Sequence, residues 1–352
     1  VELARDIAPG DLQSLHERGL VVPEAGAWKL RRAADAPGLV EALDEPFVAS
    51  LHGALASSLE ERLESGTAVE RSEVEARLVV HLALAGRTAE ARKRLEARRG
   101  HGLAARAWVE AADAVASATG GDPSARLLQA AVHGEAGSLE RSIEILAGAV
   151  DDARDEATRH GARIAMARSL LRLGDLSGCD GQIQAAREAS VGARGDPLLS
   201  DLEARVLIQR GSFGDAYEIA REGLGRARDP GLVAGLHEDV GVAASYLGRF
   251  DEAARELAAA EAAHGDGGSP RDFVRLLSYQ AINRYRMGDA AEAERSYARA
   301  LAVAEENGLS DQVASAALNL GTACHQQGDL GRALECYELG LRTAVAVGAR
   351  ST

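Results

Sequence analysis

The sequence predicts an all-α solenoid of stacked helix pairs, preceded by a small α+β segment. Three observations predict it. Glycines that close a helix recur at Gly137, Gly174, Gly211, Gly248, Gly288 and Gly328, in steps of 37 and then 40 residues. Around each glycine stands the same arrangement of small side chains. The composition, 46% hydrophobic but 3% aromatic, gives a core of Ala, Leu and Val that suits close-packed helices better than strands. A period of this size, with two amphipathic helices per unit, marks a helical repeat array.

In chain order, residues 1–45 are not repeat-like. Pro9-Gly10-Asp11 opens a helix, Leu12 and Leu15 share one face, and Gly19 ends it. Leu20-Val21-Val22, a turn at Pro23-Glu24-Ala25-Gly26, and Ala27-Trp28-Lys29-Leu30-Arg31 read as a β-hairpin. Residues 46–119 form irregular helical hairpins: one helix over Phe47–Leu63, a pair over Arg71–Ala85 and Thr88–Arg98 around Gly86, and another over Leu103–Ser117 carrying Trp108. Gly120-Gly121-Asp122-Pro123 starts the regular array, residues 120–352, of about six repeats. Glycine- and proline-rich breaks at 192–197, 228–231 and 264–270 separate its later units.

Seven residues before each turn glycine sits a residue with almost no side chain: Ala130, Ala167, Ala204, Gly241, Ala281, Gly321. Five residues after it comes another: Ser142, Cys179, Ala216, Ala253, Ala293, Ala333. Two helices close to about 8–10 Å only where such residues meet, so these positions mark the crossing. Nine residues after the glycine comes the filler: Leu146, Ile183, Ala220, Leu257, Tyr297, Tyr337. The glycine suits the left-handed end of the first helix. Ser138, Asp175, Ser212, Asp289 and Asp329 are placed to accept from the amides that open the second; at Arg249 the nearby Asp251 favours the start electrostatically.

Leu320-Gly321, Gly328-Asp329, Ala333 and Tyr337 make Pro123 to Val347 resemble tetratricopeptide repeats (TPR), which implies a right-handed TPR-like α-solenoid. The large aromatic early in the first helix and the closing proline are mostly missing, so the array is most similar to the divergent repeats of bacterial signalling ATPases. The segment LHERGLVV…WKLRR resembles the winged helix that follows the nucleotide-binding domain in signal-transducing ATPases of the maltose-activator and kinase-associated type. VVHLALAGRTAEA is similar to the pattern that opens their helical region, with Val79 in place of its first alanine. The resemblance implies a non-catalytic regulatory region of a bacterial signalling (STAND/AAA-type) ATPase or ATPase-linked serine/threonine kinase. It would sense a protein partner or ligand and act on an intramolecular nucleotide-binding or kinase domain. A stand-alone adaptor, or the sensor of a transcription activator with its DNA-binding domain elsewhere, are the alternatives.

Charge bounds the partners. A net charge of −14 argues against nucleic acid and anionic membranes. In the winged-helix-like segment Arg5, Arg18, Lys29, Arg31 and Arg32 are matched by Glu2, Asp6, Asp11, Glu17 and Glu24, which removes the electrostatic case for DNA contact there. Three cysteines without a CxxC pair fit a reducing cytoplasm. No apolar run approaches the ~20 residues that span a bilayer. The chain opens at Val1 inside what reads as a folded unit, as expected of a piece of a longer protein.

No catalytic, metal or cofactor constellation stands out, since no Walker, HExxH, GxSxG or kinase-loop motif is present. His81 has no partner at ligand spacing and reads as a core or interface residue. The glycine-rich stretch His264–Gly268 follows a helix and lacks the phosphate-loop pattern, so it reads as a loop between repeats. Cys324 and His325 point about 100° apart on a helix and make a poor nucleophile–base pair. What remains is a surface. The resemblance places the first helix of each unit on a concave wall, with Arg168, Leu171, Arg172, Arg205, Ile208, Gln209, Tyr246, Ile282, Tyr285, Arg286, His325 and Gln326 toward the groove, joined by Arg275 and Ser278. This set predicts a locally positive groove for an acidic protein segment or a small anionic ligand. The asparagine-and-lysine clamp of chaperone-tail-binding repeats is not matched.

Overall fold

The computed structural model describes residues 16, 21–24, 27–30, 45–63, 68–98, 106–189, 196–265 and 268–351. The chain divides into two compact units, with the boundary between Gly137 and Ser138.

In the first unit, β1 (Val21–Glu24) and β2 (Ala27–Leu30) pair antiparallel, Val21 opposite Leu30 and Pro23 opposite Trp28. The helix expected before them lies, but for His16, outside the described residues. The hairpin is therefore the one part of the proposed winged-helix-like segment among the described residues, and no winged helix is established. Five helices follow: α1 (Glu45–Arg62), α2 (Ala68–Leu84), α3 (Thr88–Ala97), α4 (Arg106–Ala118) and α5 (Pro123–Glu135). Gly86, at φ +78°, turns α2 into α3. Trp108 is fully buried with Leu78, Leu82 and Leu95, and its indole N–H donates to Ser72 Oγ at 3.1 Å. Leu128 and Val132 of α5 belong to this same core. That packing puts α5, expected to open the array, into the first unit.

The second unit holds α6 (Leu139–Asp152) and five helical hairpins: α7 (Glu156–Leu173) with α8 (Leu176–Ala189), α9 (Pro197–Gln209) with α10 (Phe213–Arg226), α11 (Pro230–Tyr246) with α12 (Phe250–His264), α13 (Pro270–Arg286) with α14 (Ala290–Glu306), and α15 (Ser310–Gln326) with α16 (Leu330–Ser351). Each hairpin is specified locally. Asp155, Asp196 and Asp229 cap first helices by accepting from the amides of Thr158, Leu198 and Leu232 at 2.8–2.9 Å. Proline occupies the first turn of α9, α11 and α13, where its missing N–H costs nothing. All six turn glycines are left-handed, with φ from +79° to +88°. The amide after the glycine reaches back to close the helix in five of them: Asp175 to Leu170, Ser212 to Leu207, Arg249 to Ala244, Asp289 to Arg284 and Asp329 to Cys324, at 2.9–3.0 Å.

The second-helix caps divide by side chain. Asp175, Asp289 and Asp329 accept from the amides of Gly178, Glu292 and Arg332. Ser138 and Ser212 make no such bond, contrary to expectation. From nearly the same backbone geometry a hydroxyl reaches less far than a carboxylate.

The small residues are where the period places them. Ala167, Ala204, Gly241, Ala281 and Gly321 are buried, as are Cys179, Ala216, Ala253, Ala293 and Ala333. A Cβ added to Gly241 would lie 2.8 Å from Leu257 Cγ and 3.3 Å from the Ala253 carbonyl oxygen. At Gly321 the same atom would meet the Tyr337 ring at 2.8 Å and the Ala333 carbonyl at 3.2 Å. The positions seven before, five after and nine after a turn thus meet at one crossing. Consecutive first helices also touch, α7 with α9, α9 with α11, α11 with α13 and α13 with α15, so they form one continuous face. The result is an α-solenoid of the TPR kind.

Candidate functional site: the face of the first helices

The expected site residues lie on this face but divide into two zones. Toward the glycine turns, Arg172, Gln209, Tyr246, Tyr285, Arg286, His325 and Gln326 are exposed, and so is Arg168 about one helical turn further back. Further back along the helices Arg205, Arg275 and Ser278 are partly buried and Ile282 is half-covered, while nearer the turns Ile208 is half-covered and Leu171 buried. The Ser278 hydroxyl is turned inward, donating to the Val274 carbonyl at 2.9 Å.

The inner zone carries a charge network that the sequence reading did not anticipate. Arg205 of α9 pairs with Asp201 at 2.9 Å and with Asp239 of α11 at 3.4 Å. Arg275 of α13 pairs with Glu238 of α11 and with its own Asp272, both at 2.6 Å. Asp201, Glu238 and Asp239 are buried. Gly235 makes room for the first pair, since a Cβ there would stand 2.9 Å from both Arg205 and Asp201. Two guanidiniums therefore face four carboxylates, and the positive groove expected at Arg205 and Arg275 becomes locally acidic. Burial pushes the Asp239 carboxyl well above its usual range; Arg205 opposes the shift, while Asp201 and Glu238 reinforce it. For Asp272 burial acts in the same sense, but Arg275 and Arg205 outweigh it and hold the carboxyl below its usual range. This zone stiffens the face; its arginines are already engaged.

The outer zone is built differently. The residue two after one turn meets the residue two before the next. Phe213 stacks on Tyr246 with ring centroids 4.2 Å apart and planes 4° from parallel. Arg286 lies over the Tyr246 ring at 4.6 Å and the Phe250 ring at 5.8 Å. Phe213, Tyr246 and Arg286 thus form a continuous stack along the turn edge, and Phe213 and Phe250 were not foreseen as parts of it. The signal was present in the spacing, because both phenylalanines stand two residues after a turn glycine.

A second unforeseen pair lies in the first unit. His81 is not alone: its Nδ1 is 2.9 Å from Nδ1 of His52, with the rings stacked at 5.1 Å. Burial, the His52 ring and Arg77 together push His81 down to about 4. Burial also raises the thiols, Cys179 to about 11, so these cysteines are poor nucleophiles. Cys324 is buried while His325 is exposed. Among the described residues no group of three or more His, Cys, Asp or Glu side chains could hold a metal ion, and no helix is long and apolar enough to cross a membrane.

Known proteins place this fold. A tetratricopeptide repeat family model matches residues 272–344. No curated protein matches the sequence. Among solved structures the chain is similar to a Rap protein complexed with competence and sporulation factor (13% identity, 86% of this chain and 90% of that one, TM-score 0.59). It is similar to the Rap conjugation gene regulator of plasmid pLS20 in complex with the Phr* peptide (12% identity, 90% of each chain, TM-score 0.57). It is also similar to a signal transduction ATPase with numerous domains (STAND) bearing a tetratricopeptide repeat sensor, from Pyrococcus horikoshii (15% identity, 90% of this chain, TM-score 0.50). Of that ATPase the chain spans about half the length, 49%. At these identities the likeness is one of fold, and with the family match it identifies residues 272–344 as tetratricopeptide repeats within a solenoid of that kind.

Proposed function

We propose that the second unit binds an extended segment of a partner protein along the turn-edge zone of its first helices, without catalysis, and that the segment is acidic. One observation carries the reading. Two residues before five successive turns stand Arg172, Gln209, Tyr246, Arg286 and Gln326, all exposed and in register. Three residues before the same turns stand Leu171, Ile208, Ser245, Tyr285 and His325, and six before them Arg168, Arg205, Val242, Ile282 and Thr322. No carboxylate occupies any of these positions, although the chain as a whole carries −14. A segment lying along the row meets one side chain per unit, and its acidic residues meet Arg168, Arg172 and Arg286. The same row could hold a small anionic ligand through those arginines.

The likeness to a STAND protein with a repeat sensor supports placing this module in a bacterial signalling ATPase or serine/threonine kinase, in the cytoplasm, where partner binding would alter the state of a nucleotide-binding or kinase domain. Selection of a random-peptide display library on the immobilised chain tests the binding. Selected peptides should be enriched in Asp and Glu, and Arg168→Glu with Arg172→Glu should weaken them. Recovery of peptides without acidic enrichment would refute the reading. The genomic frame around this segment tests the wider role, since a Walker motif upstream is expected.

A further inference from the structure

Resting on that reading, we infer that the anchor for the partner's carboxylate side chain is a pocket at the start of α12, formed by Arg249, Arg255 and Arg286 around Phe250. The first two arginines are outside the row of first-helix positions.

The pocket is an open cavity of about 590 Å³, lined also by Gly248, Asp251, Glu252 and Met287. Two of its three guanidiniums, those of Arg249 and Arg286, are held by stacking on aromatic rings. Arg286 lies over Tyr246 and Phe250, and Arg249 lies over the Tyr217 ring at 4.7 Å. Stacking fixes a guanidinium plane and leaves its edge, where the N–H donors are, free to face an incoming acceptor. Among the described residues Arg255 and Arg286 have no ion-pair or hydrogen-bond partner, while Arg249 reaches Glu252 only at 3.9 Å. Of the two acids in the lining, Glu252 is already engaged, accepting from the Tyr217 hydroxyl at 2.6 Å and from Arg221 at 3.3 Å. That leaves Asp251 against three cations. Other arginines of this unit are paired with acids of the preceding repeat, as Arg210 is with Asp180 and Arg299 with Glu261. Two stacked guanidiniums with the unpaired Arg255 beside them, in excess over the acids of the lining, fit a carboxylate presented by an extended chain.

The probe is a fluorescent hexaglutamate peptide, with hexalysine as the control and inorganic phosphate as competitor, followed by anisotropy at low salt. Arg249→Ala with Arg255→Ala should weaken hexaglutamate about tenfold, as expected for losing charge-assisted contacts at a partly exposed site. Arg286→Lys, which keeps the charge but loses the planar stack, should weaken it to a lesser degree. Circular dichroism melts unchanged from the parent would confirm that these surface variants fold. If the double variant binds as the parent does while Arg168→Ala with Arg172→Ala weakens binding, the pocket is refuted and the row survives. If hexaglutamate fails to bind, or neither pair matters, both fall. Displacement of bound hexaglutamate by inorganic phosphate at concentrations where acetate displaces none would overturn the assignment to a carboxylate.

Discussion

Leu257 fills the space that Gly241 leaves empty: a Cβ on the glycine would stand 2.8 Å from the leucine's Cγ. Leu257 is fully buried, with little room to retreat. Gly241→Ala should therefore destabilise the second unit by about 1–3 kcal/mol despite alanine's better helix propensity, because overpacking outweighs it. Leu257→Val in the same chain should recover part of the loss. Gly321→Ala should cost less, since Tyr337 is only half-buried and can swing outward. Urea melts of the four chains decide it; equal stability of Gly241→Ala and parent would mean the helices do not cross there.

Arg205 holds two buried carboxylates in place. Removing it as Arg205→Ala should cost about 3–5 kcal/mol, because Asp201 and Asp239 are left unpaired away from water. Asp239→Asn should behave in the opposite way. The amide oxygen still accepts from Arg205, and a carboxyl that burial drives toward its neutral form gives up no charge on replacement. Thermal melts near neutral pH should place Asp239→Asn at or above the parent and Arg205→Ala well below it. A large loss in the asparagine variant would show the carboxylate to be ionised and needed.

The His52–His81 contact predicts acid sensitivity in the first unit. In the fold His81 titrates near 4, against an ordinary value near 6.5, so the folded state resists a proton that the unfolded state accepts. Stability from this pair is present above about pH 6.5 and is lost as pH falls toward 4. Because both rings are partly exposed, solvent screening reduces the effect to about 1–2 kcal/mol. Trp108 fluorescence in a Trp28→Phe background, read across that range with and without His81→Asn, isolates it. A slope that persists in the asparagine variant would assign the acid sensitivity to other groups.

The turn glycines make a conformational prediction. Gly248 has φ +80° and nothing within 4 Å of an added Cβ, so Gly248→Ala suffers only backbone strain, about 1 kcal/mol. Gly248→Asn should cost less, since asparagine tolerates the left-handed region. A loss from Gly248→Ala as large as that from Gly241→Ala would contradict the separation of roles between the two glycines.

Much of this fold was legible because its determinants are local and recur. The turn glycines and the small residues seven before and five after them are fixed by helix ending and helix crossing, and both repeat with the unit. The site was less legible. Arg205 and Asp239 are 34 residues apart and Arg275 and Glu238 are 37, so each ion pair spans adjacent repeats. Reading the arginines without the acids one repeat away gave the wrong local sign. His52 and His81 face each other across two helices outside any period, where sequence supplies no register to align them.

The aromatic stack has a consequence for how such a chain can change length. Phe213 finds its partner in the following hairpin, and Tyr246 finds Arg286 in the one after. Excising a whole repeat would keep the rhythm of the hairpins but change the partner of the ring at the scar. Exchange of a whole hairpin would therefore leave the helix crossings unchanged while giving each ring of the seam a new neighbour.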